Sequence, residues 1–249
     1  MILNVLLGVL SAAIFTGLAW YWRNRKSVRL WMWVIFHRGA TVRVSVSALL
    51  SCTEPGGVWL YQNRTRPSVG PLGGVRKIYQ GAEATTTALG LQTETVEGAE
   101  GADVGSDVRG TLPAHRLTEF LRLLNDTAVI EPAADTLRRE LVEELFAGEM
   151  LTHALTSIPL SWVRRGIEGP SRIETRGYWQ IRIVDVFEIG EGSDSPHRLA
   201  AMEAIRELGL KVTPDEIRAG ELSTTRHRIT SPSLFILGNR ARKASDAPL

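Results

Sequence analysis

The sequence of 249 residues predicts an α+β domain preceded by one N-terminal transmembrane helix. The first 22 residues carry no charged side chain, as is typical of a segment that crosses a bilayer. Further on, strand-like and helix-like segments mix without a regular β-α-β alternation, which favours the α+β class. The composition is ordinary for a globular protein, and a net charge of +2 gives no reason to expect a nucleic-acid polymer as a partner.

Residues 1–22 have the length of a transmembrane helix, since at about 1.5 Å per residue they would span roughly 33 Å. Aromatic and then basic residues follow the apolar run on one side only: Trp20, Tyr21, Trp22, Arg23, Arg25, Lys26 and Arg29. The positive-inside rule then predicts a single-pass protein whose C-terminal part is cytoplasmic. A cleaved signal peptide fits less well, because its positive charge precedes the apolar run.

Residues 23–40 form a basic and aromatic juxtamembrane segment. Within it, residues 27–37 are too short to cross a bilayer again. Trp31, Trp33 and Phe36 favour a helix that lies at the interface or extends the anchor. The alternative is a first buried strand of the soluble domain.

The soluble domain is predicted to cover residues 41–241, with a tail at 242–249. Alternating apolar residues predict strands over 41–51, 58–63 and 177–189, and a 3.6-residue period predicts helices over 112–126, 136–146, 197–209 and 213–222. Residues 81–110 are small, polar and rich in Gly, Ala and Thr, which predicts a loop insertion. The single cysteine, Cys52, excludes an intramolecular disulfide and is expected in the core rather than as a nucleophile.

A cluster of carboxylates stands out in the second predicted helix, where residues 138–145 read RRELVEEL. Glu140, Glu143 and Glu144 lie on neighbouring faces and repel one another unless a positive charge lies among them. A hard divalent cation is one solution, and Arg139 paired with a glutamate is another. A solvated helix face is the simplest interpretation of the octet alone.

The spacing around the octet resembles the Nudix box, G-x5-E-x7-R-E-U-x-E-E-x-G-U, where U is a bulky aliphatic residue. The matching positions are Glu131, Arg139, Glu140, Leu141, Glu143 and Glu144. The two box glycines are replaced, by Asn125 and Phe146. The glycine-rich GPLGGV segment, with Gly73 and Gly74, lies far upstream across the insertion.

An apolar anchor, the strand RVSVSALL, GPLGGV, an insertion and RRELVEEL together resemble the Nudix domains associated with CD-NTase (SMODS) nucleotidyltransferases. Such domains form the transmembrane-Nudix effectors of CBASS antiphage systems. The resemblance implies an α/β/α sandwich with a mixed sheet, located at the bacterial inner membrane. It also implies two partners besides the lipid bilayer, a cyclic oligonucleotide made by the CD-NTase and further copies of the chain on activation.

The resemblance also implies roles for individual residues. Glu143 and Glu144 would be catalytic if the domain is active, and Glu140, Glu143 and Glu144 would hold Mg²⁺ if a metal is bound. The expected nucleotide-binding residues are Arg139, Gly73, Gly74 and Trp179. For Trp179, which would stack on a base, core packing is the alternative.

Three functions remain open from the sequence. The first is a membrane-tethered effector that senses a cyclic oligonucleotide and disrupts the inner membrane. The second is an active, membrane-bound, Mg²⁺-dependent hydrolase of nucleoside diphosphate derivatives. The third is a structural adaptor. The lost box glycines favour the first over the second, because they shape the loop that brings the glutamates together, while the retained glutamates keep the second open.

Overall fold

The computed structural model describes residues 15–16, 21–22, 28–62, 67–94, 106–145, 155–190 and 196–238. Apart from residues 15–16 and 21–22, the predicted transmembrane helix lies outside these ranges, as does the predicted tail at 242–249. Within the described ranges, no helix combines the length and the apolar character that crossing a bilayer requires.

The described residues form two sheets and a set of short helices. The strands are β1 (Thr41–Leu50), β2 (Thr53–Glu54), β3 (Gly57–Gln62), β4 (Ser68–Gly70), β5 (Gly73–Val75), β6 (Gln92–Thr93), β7 (Arg109–Pro113), β8 (Leu160–Ile173), β9 (Tyr178–Ile189), β10 (Leu210–Val212) and β11 (Arg228–Ile229). The helices are α1 (residues 28–36), α2 (Glu83–Ala88), α3 (Leu117–Leu123), α4 (Ala133–Glu144), α5 (Pro196–Leu208), α6 (Pro214–Ala219) and α7 (Ser233–Ile236).

The larger sheet is mixed, with the order β6-β7-β1-β9-β8, and β5 also pairs with β1. Strand β1 runs parallel to β9 and antiparallel to β7 and β5. The smaller sheet has the order β10-β3-β4-β11, with β2 paired to β3. The long pairing of β1 with β9, from Val42 opposite Trp179 to Leu50 opposite Phe187, forms the centre of the fold.

Helices cover both faces of the larger sheet. Ala48 packs against Leu137 and Leu141 of α4, whereas its neighbour Leu49 packs against Phe235 of α7. Because successive residues of a strand point to opposite faces, α4 and α7 lie on opposite sides of β1. Helices and a mixed sheet agree with the predicted α+β class and with a Nudix-like arrangement.

Residues 28–36 form helix α1, in agreement with the helix favoured from the sequence and not with the alternative of a buried strand. One prediction about local structure needs correction. The predicted insertion at 81–110 is not a plain loop where it is described. It contains α2 and β6, and Leu89, Leu91 and Val108 are buried. Gly110 of β7 allows β6 to pass close by, because a Cβ there would overlap the Gln92 carbonyl, so part of this loop-like segment belongs to the sheet.

Other expectations are confirmed. Strand β9 and helices α3, α4 and α5 lie where the apolar periods predict them. Helix α6 begins after Thr213, whose hydroxyl accepts a hydrogen bond from the Glu216 amide while the Glu216 carboxylate accepts one from the Thr213 amide. Cys52 is a core residue, 5% exposed.

Candidate functional site

Helix α4 presents one apolar and one carboxylate-bearing face. Leu137 and Leu141 are fully buried against the mixed sheet. The same helical period places Arg139, Glu140 and Glu143 on the adjoining face, beside strand β5. The helix therefore fixes the predicted site residues relative to the sheet through its leucines.

Arg139 is the centre of the carboxylate cluster. Its Nε donates to Oε1 of Glu131 at 3.2 Å and its Nη2 to Oε2 at 3.2 Å. Glu131 is buried and also accepts hydrogen bonds from the Thr136 hydroxyl at 2.8 Å and the Lys77 amide at 3.3 Å. A buried carboxylate is stable here because every one of these donors faces it.

The same guanidinium reaches two further carboxylates. Its Nη1 donates to Oε1 of Glu140 at 2.7 Å and to Oε1 of Glu143 at 3.3 Å. Burial raises the pKa of Glu140, and the charge of Arg139 offsets that rise only in part. Burial lowers the pKa of Arg139, but the carboxylates of Glu131 and Glu140 have the larger effect. The net result is a raised pKa for Arg139.

The predicted glycine pair lies directly beneath these side chains. Gly73 has a φ of +134°, and a Cβ there would overlap the Ala48 carbonyl. A Cβ at Gly74 would overlap the carboxylate of Glu140. The Gly73 amide donates to Oε2 of Glu144 at 3.3 Å. Gly73 is required by its positive φ and by the nearby Ala48 backbone, whereas a side chain at position 74 would displace the Glu140 carboxylate.

A row of residues crosses the sheet at this level. Gly74, Ala48 and Asp185 are in register on β5, β1 and β9, and Arg165 continues the row onto β8. Asp185 is 1% exposed, and Arg165 binds it with Nε at 2.7 Å and Nη2 at 3.0 Å. This bidentate pair lies on the same face of the sheet as α4, because Ala48 packs against α4.

Arg76 connects the two groups. This buried side chain donates from Nε to the Glu131 carbonyl at 2.7 Å and from Nη2 to the Leu124 carbonyl at 3.1 Å. Its Nη1 lies 3.9 Å from Oδ2 of Asp185. Charges of opposite sign therefore alternate across the domain, and we call these residues the charged row: Glu140, Arg139, Glu131, Arg76, Asp185 and Arg165.

Three members of the charged row, and the indole beside it, are not among the residues predicted from the sequence. Trp162 of β8 is 59% exposed, and its Nε1 donates to Oδ1 of Asp185 at 3.4 Å. Asp185 had a visible signal, since it is the one acidic residue among the buried positions of β9. Arg76 directly follows GPLGGV, whereas Arg165 and Trp162 lie in a stretch without any clear period.

The structure does not bring Trp179 to this site. Trp179 is paired with Val42, seven residues along β1 from Leu49, which pairs with Gly73. At about 3.3 Å per residue the separation is roughly 23 Å. Its ring instead contacts Trp33 and His37 at centroid distances of 5.1 and 4.9 Å. Trp179 therefore packs against the region of α1. This agrees with core packing, the alternative to base stacking that the sequence leaves open.

In the described structure, the glutamates expected to hold Mg²⁺ are hydrogen-bonded to other groups of the chain. Within the described ranges, no three acidic, histidine or cysteine side chains are arranged to hold a metal ion. Glu140 is turned toward Gly74 and bound to Arg139, while Glu144 accepts from the Gly73 amide. The guanidinium of Arg139 lies among the carboxylates of Glu131, Glu140 and Glu143.

Within the charged row and the neighbouring Glu143 and Glu144, carboxylates outnumber arginines. The three arginines of the charged row, Arg76, Arg139 and Arg165, stand against five carboxylates: Glu131, Glu140, Glu143, Glu144 and Asp185. Glu143 is the most exposed of the ion-paired carboxylates here, with 57% of its side chain accessible. Arg165, on β8, lies at the opposite end of the charged row from Glu140 of α4.

A separate groove of about 680 Å³ lies between α2 and α3. Its lining includes Ala84, Ala88, Glu119, Arg122 and Asp126. It contains no residue of the charged row and no predicted site residue. The groove therefore adds nothing to the chemistry of the carboxylate cluster.

Comparison with known proteins bears on the family. The model of the SMODS-associated NUDIX domain matches residues 41–237, which is most of the chain. No curated protein and no solved structure matched in the other two comparisons. The matched range begins at β1 and ends just after α7, so it includes both sheets and the whole charged row. The chain therefore belongs to the SMODS-associated NUDIX domain family.

Proposed function

We propose that the chain is the membrane-anchored effector of a CBASS antiphage system. In this account its Nudix-like domain binds a cyclic oligonucleotide made by a CD-NTase. Binding then drives assembly of several copies and disruption of the bacterial inner membrane. The family description, which links the domain to SMODS enzymes, and the uncharged segment at residues 1–22 support this function. Tethering in a membrane concentrates the copies, so a modest change in affinity between domains is enough to assemble them.

The observation that carries sensing over hydrolysis is the placement of Arg139. Its guanidinium is bound to the side chains of Glu131, Glu140 and Glu143. These include two of the three carboxylates expected to hold Mg²⁺. A metal ion would have to displace these charge-assisted hydrogen bonds before the glutamates could converge on it. The arrangement favours a rigid binding domain.

In the proposed complex, Trp162 and Arg165 are the first residues that the ligand meets. The exposed indole of Trp162 offers a surface on which a base stacks. Arg165, held by Asp185, presents the remaining edge of its guanidinium to a phosphate. Neither residue belongs to α4. Asp185, which both residues contact, is 1% exposed, so a polyanion meets Arg165 rather than that carboxylate.

A second candidate is a Mg²⁺-dependent hydrolase. It is favoured by the excess of carboxylates and by the exposure of Glu143 at the end of α4. Nudix domains generally use divalent metals. For this function Arg139 would have to release Glu140 and Glu143.

One experiment separates the two candidates. The full chain in detergent is incubated with Mg²⁺ and a panel of cyclic di- and trinucleotides and nucleoside diphosphate derivatives, and both binding and products are measured. Saturable binding of a cyclic species that is recovered intact supports the effector. Release of a nucleoside monophosphate, lost in Glu144→Gln and kept in the surface control Glu119→Gln, would overturn it in favour of the hydrolase.

A further inference from the structure

Helix α1 has two apolar faces. Its inner face packs on the core of the domain through Leu30, Trp33 and Val34. Its outer face carries four large apolar side chains, with exposures of 51% for Trp31, 48% for Met32, 55% for Ile35 and 74% for Phe36. The spacing of these four places them on one side of a helix, opposite the buried residues.

The inner face is fixed by an aromatic stack. The ring of His37 lies on Trp33 with centroids 4.9 Å apart and an angle of 11° between planes. Trp179, the second residue of β9, meets both rings edge-on. Nδ1 of His37 also lies 3.0 Å from the Trp33 carbonyl. These contacts attach α1 to the strand pair β1–β9 at the end of the sheet opposite the charged row.

An outer face of this kind needs a partner, and its charges indicate which one. Exposed Arg29 and Arg38 lie near the two ends of the helix. Arg23, Arg25 and Lys26 precede it in the sequence, directly after the uncharged residues 1–22. This arrangement matches an anionic lipid surface. The apolar side chains would contact the acyl chains, and the cations around them would contact the lipid phosphates. In a symmetric contact between two copies, the same arginines would approach one another.

We propose that α1 lies in the headgroup region of an anionic bilayer, with Trp31, Met32, Ile35 and Phe36 inserted between the lipids. The stack of Trp33, His37 and Trp179 then holds the sheet at a fixed orientation to the membrane. The charged row faces away from the bilayer, at the far end of β1. This inference rests on the membrane anchoring in the proposed function and adds to it the surface that touches lipid.

Site-specific fluorescence labelling of the full chain tests the inference. Cys52 is almost completely buried, and burial raises its pKa to about 12, so a thiol-reactive dye attaches to an introduced cysteine instead. Phe36→Cys and Ile35→Cys report on the outer face. Leu208→Cys is the matched control, because Leu208 is 53% exposed at the end of α5, which packs at the opposite end of β1.

The labelled chains are reconstituted into vesicles with anionic phospholipids, some carrying a nitroxide near the headgroup, and the vesicles are floated on a density gradient. We expect the chain to float with the vesicles. The labels at 36 and 35 should be quenched by the nitroxide and protected from aqueous iodide. The label at 208 should be quenched by iodide and not by the nitroxide. Floating chains whose labels at 36 and 35 are open to iodide would overturn this inference and leave the anchor intact.

Two other outcomes have different meanings. Protection from iodide without loss to the nitroxide, together with crosslinking between chains through Phe36→Cys, would mean that a second copy covers the face, and would overturn the lipid contact. Failure of the chain to float would overturn both the contact and the anchoring in the proposed function.

Discussion

The guanidinium of Arg139 binds the carboxylate of Glu131 with two nitrogens, each 3.2 Å from its oxygen, across eight residues of sequence. Glu131 lies just before α4 and Arg139 two turns into it. The pair therefore holds the segment that precedes α4 against the middle of the helix. Further contacts from Arg139 to Glu140 and Glu143 make this one side chain the main counter-charge of the cluster.

Arg139→Met should destabilise the domain strongly. Glu131 and Glu140 are nearly buried and would lose their cation, which costs about 3–5 kcal/mol for a buried pair. We expect Tm to fall by roughly 6–20 °C, measured by near-UV circular dichroism of the full chain in detergent. The control Arg138→Met breaks a partly exposed pair with Asp135, whose two side chains are 31% and 55% exposed, and should cost less than about 1 kcal/mol. Equal losses for the two variants would contradict the central position of Arg139.

Glu140 should make the domain less stable as pH rises. Burial raises the pKa of Glu140 above its ordinary value of 4.5, so the folded state binds its proton more tightly than the unfolded state. Stability from this group is therefore full below that value and is lost as pH rises through the folded pKa. We expect the Tm of wild type relative to Glu140→Gln to be lower near pH 7.5 than near pH 4. A relative gain for wild type toward high pH would show that Arg139 outweighs burial.

Gly74 and Glu140 should be coupled. Gly74→Ala places a Cβ against the Glu140 carboxylate, and overpacking of this kind costs about 1–3 kcal/mol. In a Glu140→Ala background the carboxylate is absent, and the same substitution should cost much less. The double-mutant cycle is read from Tm, with Gly39→Ala as the control, because nothing lies within 4 Å of a Cβ there. Additive effects would mean that the two residues do not share this space.

Trp162 should contribute to ligand affinity without supporting the fold. Stacking on an aromatic side chain contributes about 1–3 kcal/mol per base, so Trp162→Ala should weaken binding of the cyclic oligonucleotide by roughly 5- to 150-fold. The Tm should change little, because Trp162 is 59% exposed. Leu208→Ala removes a side chain of similar exposure and should leave the dissociation constant unchanged. Unchanged affinity in Trp162→Ala would place the ligand elsewhere.

The carboxylate cluster could be predicted from the sequence because its geometry is local. Arg139, Glu140 and Glu143 are neighbours on the turns of one helix, so their spacing indicates which side chains meet, and Glu131 lies just before that helix. The proximity of Gly73 and Gly74 followed from the family resemblance. Strand β9 was predicted because apolar and polar residues alternate in its sequence, although the five residues 183–187 are all buried.

What could not be predicted depends on contacts between distant segments. Strand β8 is the edge strand, half-buried to exposed along its length, and its pairing shifts register near Trp162 and after Glu168. It therefore shows no alternation, and Arg165 and Trp162 gave no signal. The packing of Trp179 on Trp33 and His37 joins residues more than 140 positions apart. No local sequence pattern distinguishes an aromatic residue in such a contact from one that stacks on a nucleotide base.

Ligand-triggered leakage from vesicles tests the central claim most directly. The full chain is reconstituted into anionic vesicles that hold a self-quenched dye. Each cyclic oligonucleotide is added with Mg²⁺, and the ligand is recovered afterwards for chromatography. We expect one cyclic species to release the dye and to be recovered intact, with Trp162→Ala requiring more of it. Binding without release of dye, or conversion of the ligand to a nucleoside monophosphate, would contradict the account.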